Sequence, residues 1–108
     1  MKDLREFIPQ IEEFDWNKWN IDKNLIKHKV SAQECEEVFL NKPFFKSIPL
    51  TEGKIEQRYY AFGITDRKRK LTIVFTIRNN KIRVISARDM SREERRIYEK
   101  DLEKITKI

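Results

Sequence analysis

Three arginines in the C-terminal half have the spacing of a phosphate site. Arg78 ends the apolar run Leu71–Arg78, Arg83 opens the run that follows, and Arg88 closes it. A guanidinium offers a planar fork that fits two phosphate oxygens and keeps its charge at any physiological pH. Fixed on a rigid platform, such groups stabilise negative charge that builds up during phosphoryl chemistry. His28 is the single histidine of the chain and the one side chain with an ordinary pKa near neutrality, so it is the leading acid/base candidate, with Lys27 and Tyr98 behind it. Each signal has a plainer reading: surface arginines pairing with Asp89, Glu93 or Glu94, and a histidine finishing the apolar stripe of a helix.

The elements that carry these residues follow from periodicity. Arg58–Ile64, Leu71–Arg78 and Arg83–Arg88 alternate as strands do, and Asn79-Asn80 suits a two-residue turn because asparagine tolerates positive φ. That turn sets Arg78 opposite Lys81, Ile77 opposite Ile82 and Phe75 opposite Val84. One face then carries Ile73, Phe75, Ile77, Ile82 and Val84 as core. The other carries Thr72, Val74, Thr76, Arg78, Arg83 and Ile85, so arginines stand beside hydroxyls. The register points Arg88 at the core face unless a bulge or the strand end re-aims it. A lone buried arginine is costly, so its expected place is the rim.

Upstream, Phe14-Asp15-Trp16 reads as a short extended piece that buries Trp16. Asn17 caps a helix over residues 18–28 with Ile21, Leu25 and His28 on one face. Ser31 and Glu34 form a capping box for a helix to about Leu40, with Ala32, Cys35, Val38 and Phe39 inward. Phe44, Phe45, Ile48 and Leu50 make a first strand, placed at an edge by Pro49. Strand two runs from about Ile55 to Ile64, with Arg58, Tyr60 and Phe62 on one face, and residues 51–54 turn into it. The stretch 66–70, Asp-Arg-Lys-Arg-Lys, is either a solvated loop tip or a phosphate-steering patch. Ser91 and Glu94 open a last helix from 92 to about 105, with Ile97, Tyr98, Leu102 and Ile105 apolar. Residues 1–12 precede this pattern as a possible N-terminal extension. The sum is one α+β domain over 1–108: two helices, an antiparallel sheet of about four strands, and a C-terminal helix.

Composition narrows the function classes. The chain has 108 residues and a net charge of +6 from 24 Lys+Arg against 18 Asp+Glu, which suits an acidic partner such as nucleic acid. No apolar stretch approaches the roughly 20 residues of a membrane span, and the first residues lack the apolar segment of a secretory signal. A single cysteine excludes an internal disulfide and fits a reducing cytoplasm; with one histidine it makes no conventional zinc site, and no cofactor is expected.

Taken together, Phe14-Asp15-Trp16, Asn24, Lys27-His28, Val30-Ser31, Glu34, Val38-Phe39, Arg58-Tyr59, Thr76 with Arg78, Arg83 through Arg88, and Glu94-Arg95 with Tyr98 resemble the BrnT toxins. Those are the ribonuclease halves of BrnT/BrnA toxin–antitoxin systems. The resemblance implies a compact fold similar to RelE, metal-independent RNA cleavage that arrests translation, and neutralisation by a small DNA-binding antitoxin. It also implies two toxins on an antitoxin dimer, with operator DNA reached only through the antitoxin. Three positions depart from the family pattern: Asn17 where an acid is usual, Asn20 where a lysine is common, and Lys29 where a glycine follows Lys-His.

Cleavage by such an enzyme requires a base for the 2′-OH, an acid for the departing 5′-oxygen, and cations at the phosphoryl oxygens. The expected assignment gives the scissile phosphate to Arg78, Arg83 and Arg88, with His28, Lys27 or Tyr98 moving protons. Trp16 is a candidate base-stacking platform, although a core role anchoring helix to sheet fits it better. Arg58, Arg67, Lys68, Arg69 and Arg95 are candidate backbone contacts. The alternatives are a non-catalytic basic nucleic-acid-binding module and an operon-regulating interaction protein without activity.

Overall fold

The computed structural model describes residues 13–53 and 55–106, with side chains to residue 104. The expected N-terminal extension (1–12), Lys54 of the turn and the side chain of Ile105 lie outside the described residues. The element order is α1 (Lys18–His28), α2 (Ala32–Leu40), β1 (Phe44–Ile48), β2 (Arg58–Ile64), β3 (Lys70–Arg78), β4 (Lys81–Asp89) and α3 (Arg92–Thr106). The strands form one antiparallel sheet in the order β1-β2-β3-β4.

The asparagine turn forms as its chemistry requires. Asn79 and Asn80 both take positive φ, 51° and 63°, and Phe75, Ile77 and Arg78 meet Val84, Ile82 and Lys81. Beyond Phe75 the register slips: Val74 faces Ser86, leaving Ile85 as an extra residue on β4. This bulge turns the rest of β4 over, because side-chain direction has a period of two. Arg88 therefore lies opposite Thr72, away from the core face, and Ala87 takes the buried position.

The inner face carries Ala61, Leu71, Ile73, Phe75, Ile82, Val84 and Ala87, all buried with Val30, Cys35 and Val38. Phe75 is the hub: its ring meets Phe39 at 5.0 Å, Tyr59 at 5.4 Å and Phe45 at 6.0 Å, spacings at which aromatic pairs attract beyond their burial. At Gly63 a Cβ would come within 2.9 Å of Val38 Cγ1, so the absent side chain lets α2 lie close on the sheet. Burial pushes the Cys35 thiol up to about 12, so it is an inert core residue.

One strand start and one helix face differ from expectation. Strand two starts at Arg58, and Gln57 instead donates its side-chain amide to the carbonyls of Ile48 and Arg58 at 2.8 and 2.9 Å. In α1 the buried positions are Asn20 and Asn24, while Leu25 is exposed. The reason is the open edge of β4. Asn24 Oδ1 accepts from the Ala87 N–H at 2.9 Å, and Asn20 Nδ2 donates to the carbonyls of Asp15 and Val84 at 3.1 and 3.5 Å. Upstream, Ile82 and residues 13–15 exchange backbone bonds of 2.8 and 2.9 Å in a parallel bridge. The edge that would otherwise recruit another strand is thus closed by side-chain amides and a short parallel segment.

Candidate nucleic-acid interface

Opposite the core, the outer face is built in rows. Arg58 of β2 lies across from Thr76 of β3, and Thr76 across from Arg83 of β4. Two strand spacings set Arg58 and Arg83 about 10 Å apart at their Cα atoms, within reach of a shared anion for side chains of this length. Arg78 and Lys81 form the next row toward the turn. On the other side come Lys46, Tyr60, Val74 and Ser86, then Phe44, Phe62, Thr72 and Arg88. The Arg83 and Arg88 rows are thus four residues of β3 apart, roughly 13 Å.

Each arginine is held by a carboxylate. Arg78 donates Nε and Nη2 to Glu56 Oε1 at 2.8 and 2.7 Å, and Arg58 lies 3.7 Å from the second oxygen of Glu56. Arg83 contacts Asp15 at 3.2 Å. Arg88 makes a two-pronged pair with Glu94 at 2.7 and 3.0 Å and also donates to the Asp89 carbonyl. The side chains of Arg58 and Arg78 are about half exposed, and exposed pairs are worth little, so a phosphate can replace those carboxylates at small cost. The sequence expectation that these pairs would involve Asp89, Glu93 or Glu94 holds for Arg88 alone of the three.

α3 covers the far end of this face. Tyr98 is buried and packs edge-to-face on Phe44 at 5.5 Å, and burial raises its pKa. Glu94 accepts from Arg88, from Thr72 Oγ1 and from the Ser91 N–H, and its pKa falls to about 2, chiefly through Arg88. Lys70 pairs with Glu99. Thr72 is buried under α3, and Thr76, in the Arg58 row, is buried too and donates to the Gln57 carbonyl at 2.7 Å. A Tyr98 so placed anchors α3 and is in a poor position to move protons.

The remaining expected site residues fall elsewhere. Trp16 is half-buried, stacked on Phe14 and donating Nε1 to Glu36 at 3.0 Å, contacts that anchor the chain before α1. Lys27 is exposed on α1 and His28 is half-buried at its end. Arg67 and Lys68 are exposed in the β2–β3 connection and Arg95 is exposed on α3. Lys29 keeps a left-handed cap, φ 55° and ψ 40°, despite having a side chain, and its N–H reaches the Asn24 and Leu25 carbonyls.

Arg69 departs most from its expected role. Its five N–H groups all find acceptors inside the molecule: both oxygens of Asp89 at 2.7 and 3.1 Å, Glu34 at 3.1 Å, and the carbonyls of Lys29 and His28 at 2.8 and 3.1 Å. It fastens the carboxyl end of α1, the amino end of α2 and the end of β4, where a cation also suits the α1 dipole. Its own pKa rises on the Asp89 bonds, while Asp89 is held below the ordinary carboxylate range by Arg69 first and then by Arg95 and His28. His28, whose carbonyl shares the Arg69 guanidinium with Asp89, thus stands at the opposite end of β4 from Arg83.

The residue that sequence reasoning passed over is Tyr60. It occupies the middle row between the arginines, its ring stacked on Phe62 at 5.4 Å, and it lies within electrostatic reach of Arg88. The alternation that put it on the face of Arg58 was its signal. Glu56, which gathers Arg58 and Arg78, had none, because its segment was read as strand.

No helix among the described residues is long and apolar enough to cross a membrane. A search of curated proteins returns no match to the chain. The family model described as "Ribonuclease toxin, BrnT, of type II toxin-antitoxin system" matches residues 16–94, a span that takes in α1, α2, the whole sheet and Glu94 and stops short of Arg95 and Tyr98. The chain belongs to this family of ribonuclease toxins, with RNA as its target and an antitoxin as its partner.

Proposed function

We propose that the outer face of the sheet is where this toxin holds and cleaves RNA, with Arg58, Arg78 and Arg83 on the backbone phosphates and Tyr60 stacking on a base. The observation that carries this is the row Arg58–Thr76–Arg83 with Arg78 beside it. It sets three permanent cations on rigid strands within side-chain reach of one another. Asp15 and Glu56 orient those guanidiniums before substrate arrives. Cleavage in this reading needs no metal ion.

Salt titration tests the placement. With a non-cleavable 2′-O-methyl RNA, each lost phosphate contact should flatten the slope of log K against log salt by roughly 0.7. Arg58→Ala and Arg83→Ala are each expected to show that change, and slopes equal to wild type would remove the reading.

A second centre is favoured by one observation: the His28 carbonyl and the Asp89 carboxylate share the Arg69 guanidinium, and Asp89 adjoins Arg88. In that arrangement His28 is the acid or base, Lys27 assists, and Arg88 leaves Glu94 for the phosphate. Loss of cleavage in His28→Ala at an unchanged thermal midpoint, with Arg58→Ala and Arg83→Ala still active, would select it.

The neutralising partner is taken to be a BrnA-like antitoxin, two toxins sitting on an antitoxin dimer that alone contacts operator DNA, in the cytoplasm, with translation arrested by the free toxin. The resemblance of the motifs supports these points, and the mass of the purified complex with and without operator DNA tests the stoichiometry.

A further inference from the structure

Among the described residues, α1 presents a face that the fold does not use. Asn20 and Asn24 point to β4, and the opposite side carries Trp19, 76% exposed, and Ile26, 79% exposed, with Leu25 beside them at 48%. Trp19 and Ile26 are seven residues apart, two helical turns or about 10 Å along one line. Large apolar groups set in line on a charged helix mark an interaction surface, and tryptophan is the side chain most enriched where binding energy concentrates. The helix also carries Lys18, Lys23 and Lys27 against the single acid Asp22.

We propose that this face of α1 docks the antitoxin through a segment that combines apolar anchors with acidic side chains. The charges select that occupant. A second copy of the chain would bring two bodies of net charge +6 together, and RNA, although it could stack on Trp19, would find no partner in Ile26 and Leu25. The position explains neutralisation as well. α1 runs beside β4, and Lys23 Nζ lies 3.5 Å from the Ile85 carbonyl, two residues from Arg83. A partner seated on Trp19 and Ile26 can therefore continue over the edge of β4 onto the arginine face and keep RNA away. The inference rests on family membership and is independent of which arginines take part in cleavage.

The test titrates the full chain with the antitoxin of its own operon, by calorimetry, and measures RNA cleavage by the free toxin in parallel. The double variant Trp19→Ala/Ile26→Ala should bind antitoxin at least about 100-fold more weakly, the scale of an interface hot spot. Its thermal midpoint and RNA cleavage should equal wild type. Lys23→Glu should slow association more at low salt than at high salt. Affinity within two-fold of wild type in the double variant overturns the proposal. So does a parallel loss of RNA cleavage with the fold intact, which would make the face an RNA platform, or loss of a wild-type dimer in sedimentation, which would make it a self-interface. Truncation of residues 1–12 provides the last arm: a red shift of tryptophan emission that disappears in a Trp19→Ala background, which keeps Trp16, would show that the chain's own N-terminal segment covers the face and would overturn the proposal. Antitoxin affinity is read without cleavage, so failure of the arginine assignment would leave this result interpretable.

Discussion

Arg69→Ala separates a structural clamp from an RNA contact. The substitution removes five hydrogen bonds and leaves the carboxylates of Asp89 and Glu34 and the carbonyls of His28 and Lys29 without their donor. Charge-assisted bonds contribute about 1.5–3 kcal/mol each in isolation. They are not additive around one group, and the Arg69 side chain remains 27% exposed, so solvent recovers part of the loss. The expected cost is about 3 kcal/mol, which for a domain of this size lowers the thermal midpoint by roughly 10–20 °C. Arg69→Lys carries three donors on a point charge and should recover less than half of it. The loss should also depend on pH. Asp89 is lowered first by the Arg69 bonds, from an ordinary 3.8. Glu34 is lowered against its own burial by the Ser31 N–H and Arg69. Depressed carboxylates stabilise the fold fully above their unfolded values and lose that contribution as pH falls through the folded ones. Wild type and variant should therefore converge in acid. Urea unfolding followed by circular dichroism at pH 7 and at pH 3 measures this, with RNA cleavage assayed well below the midpoint. An Arg69→Ala chain with an unchanged midpoint and lost cleavage would refute the clamp and return Arg69 to the RNA.

Other expectations follow from single contacts. Lys29→Gly, at φ 55°, should raise stability by about 0.5–1 kcal/mol, read as a higher urea midpoint, because glycine takes the left-handed region without strain. Glu94→Gln gives up the two-pronged bond to Arg88 and weakens the cap on Ser91. The fall from 4.5 to about 2 corresponds to roughly 3 kcal/mol at most at neutral pH. That contribution is complete above pH 4.5 and fades toward pH 2, so a midpoint difference from wild type that persists undiminished at pH 2 would contradict it. Asn24→Leu leaves the buried Ala87 N–H without an acceptor and should cost about 1–3 kcal/mol, with concentration-dependent association through the opened β4 edge in light scattering.

Local chemistry made much of this fold legible. Asn79-Asn80 set the hairpin register as far as Phe75, and Asn17, Ser31 and Ser91 marked the three helix starts. What escaped depends on distance in the chain. The bulge at Ile85 has no glycine or other local signature, yet it decides which way Arg88 points. The burial of Asn20 and Asn24 is invisible to a search for apolar stripes, because their role is to satisfy a strand more than sixty residues away. Arg69 looked like part of a solvated basic loop for the same reason: its acceptors come from α1, α2 and β4. The arginines of the outer face were legible as a group through strand alternation. Their carboxylate partners Asp15 and Glu56 were not, since only the tertiary fold brings them there.

The account turns on Arg83 acting at the phosphate. Its direct measurement is the single-turnover rate of cleavage of a 5′-labelled RNA at saturating protein, in EDTA, by wild type and Arg83→Ala of equal thermal midpoint. A loss of on the order of 100-fold or more in the variant, with 2′,3′-cyclic phosphate ends on the wild-type products, is the predicted result, the scale of removing one preorganised charge donor. An Arg83→Ala chain that cleaves at the wild-type rate would contradict it.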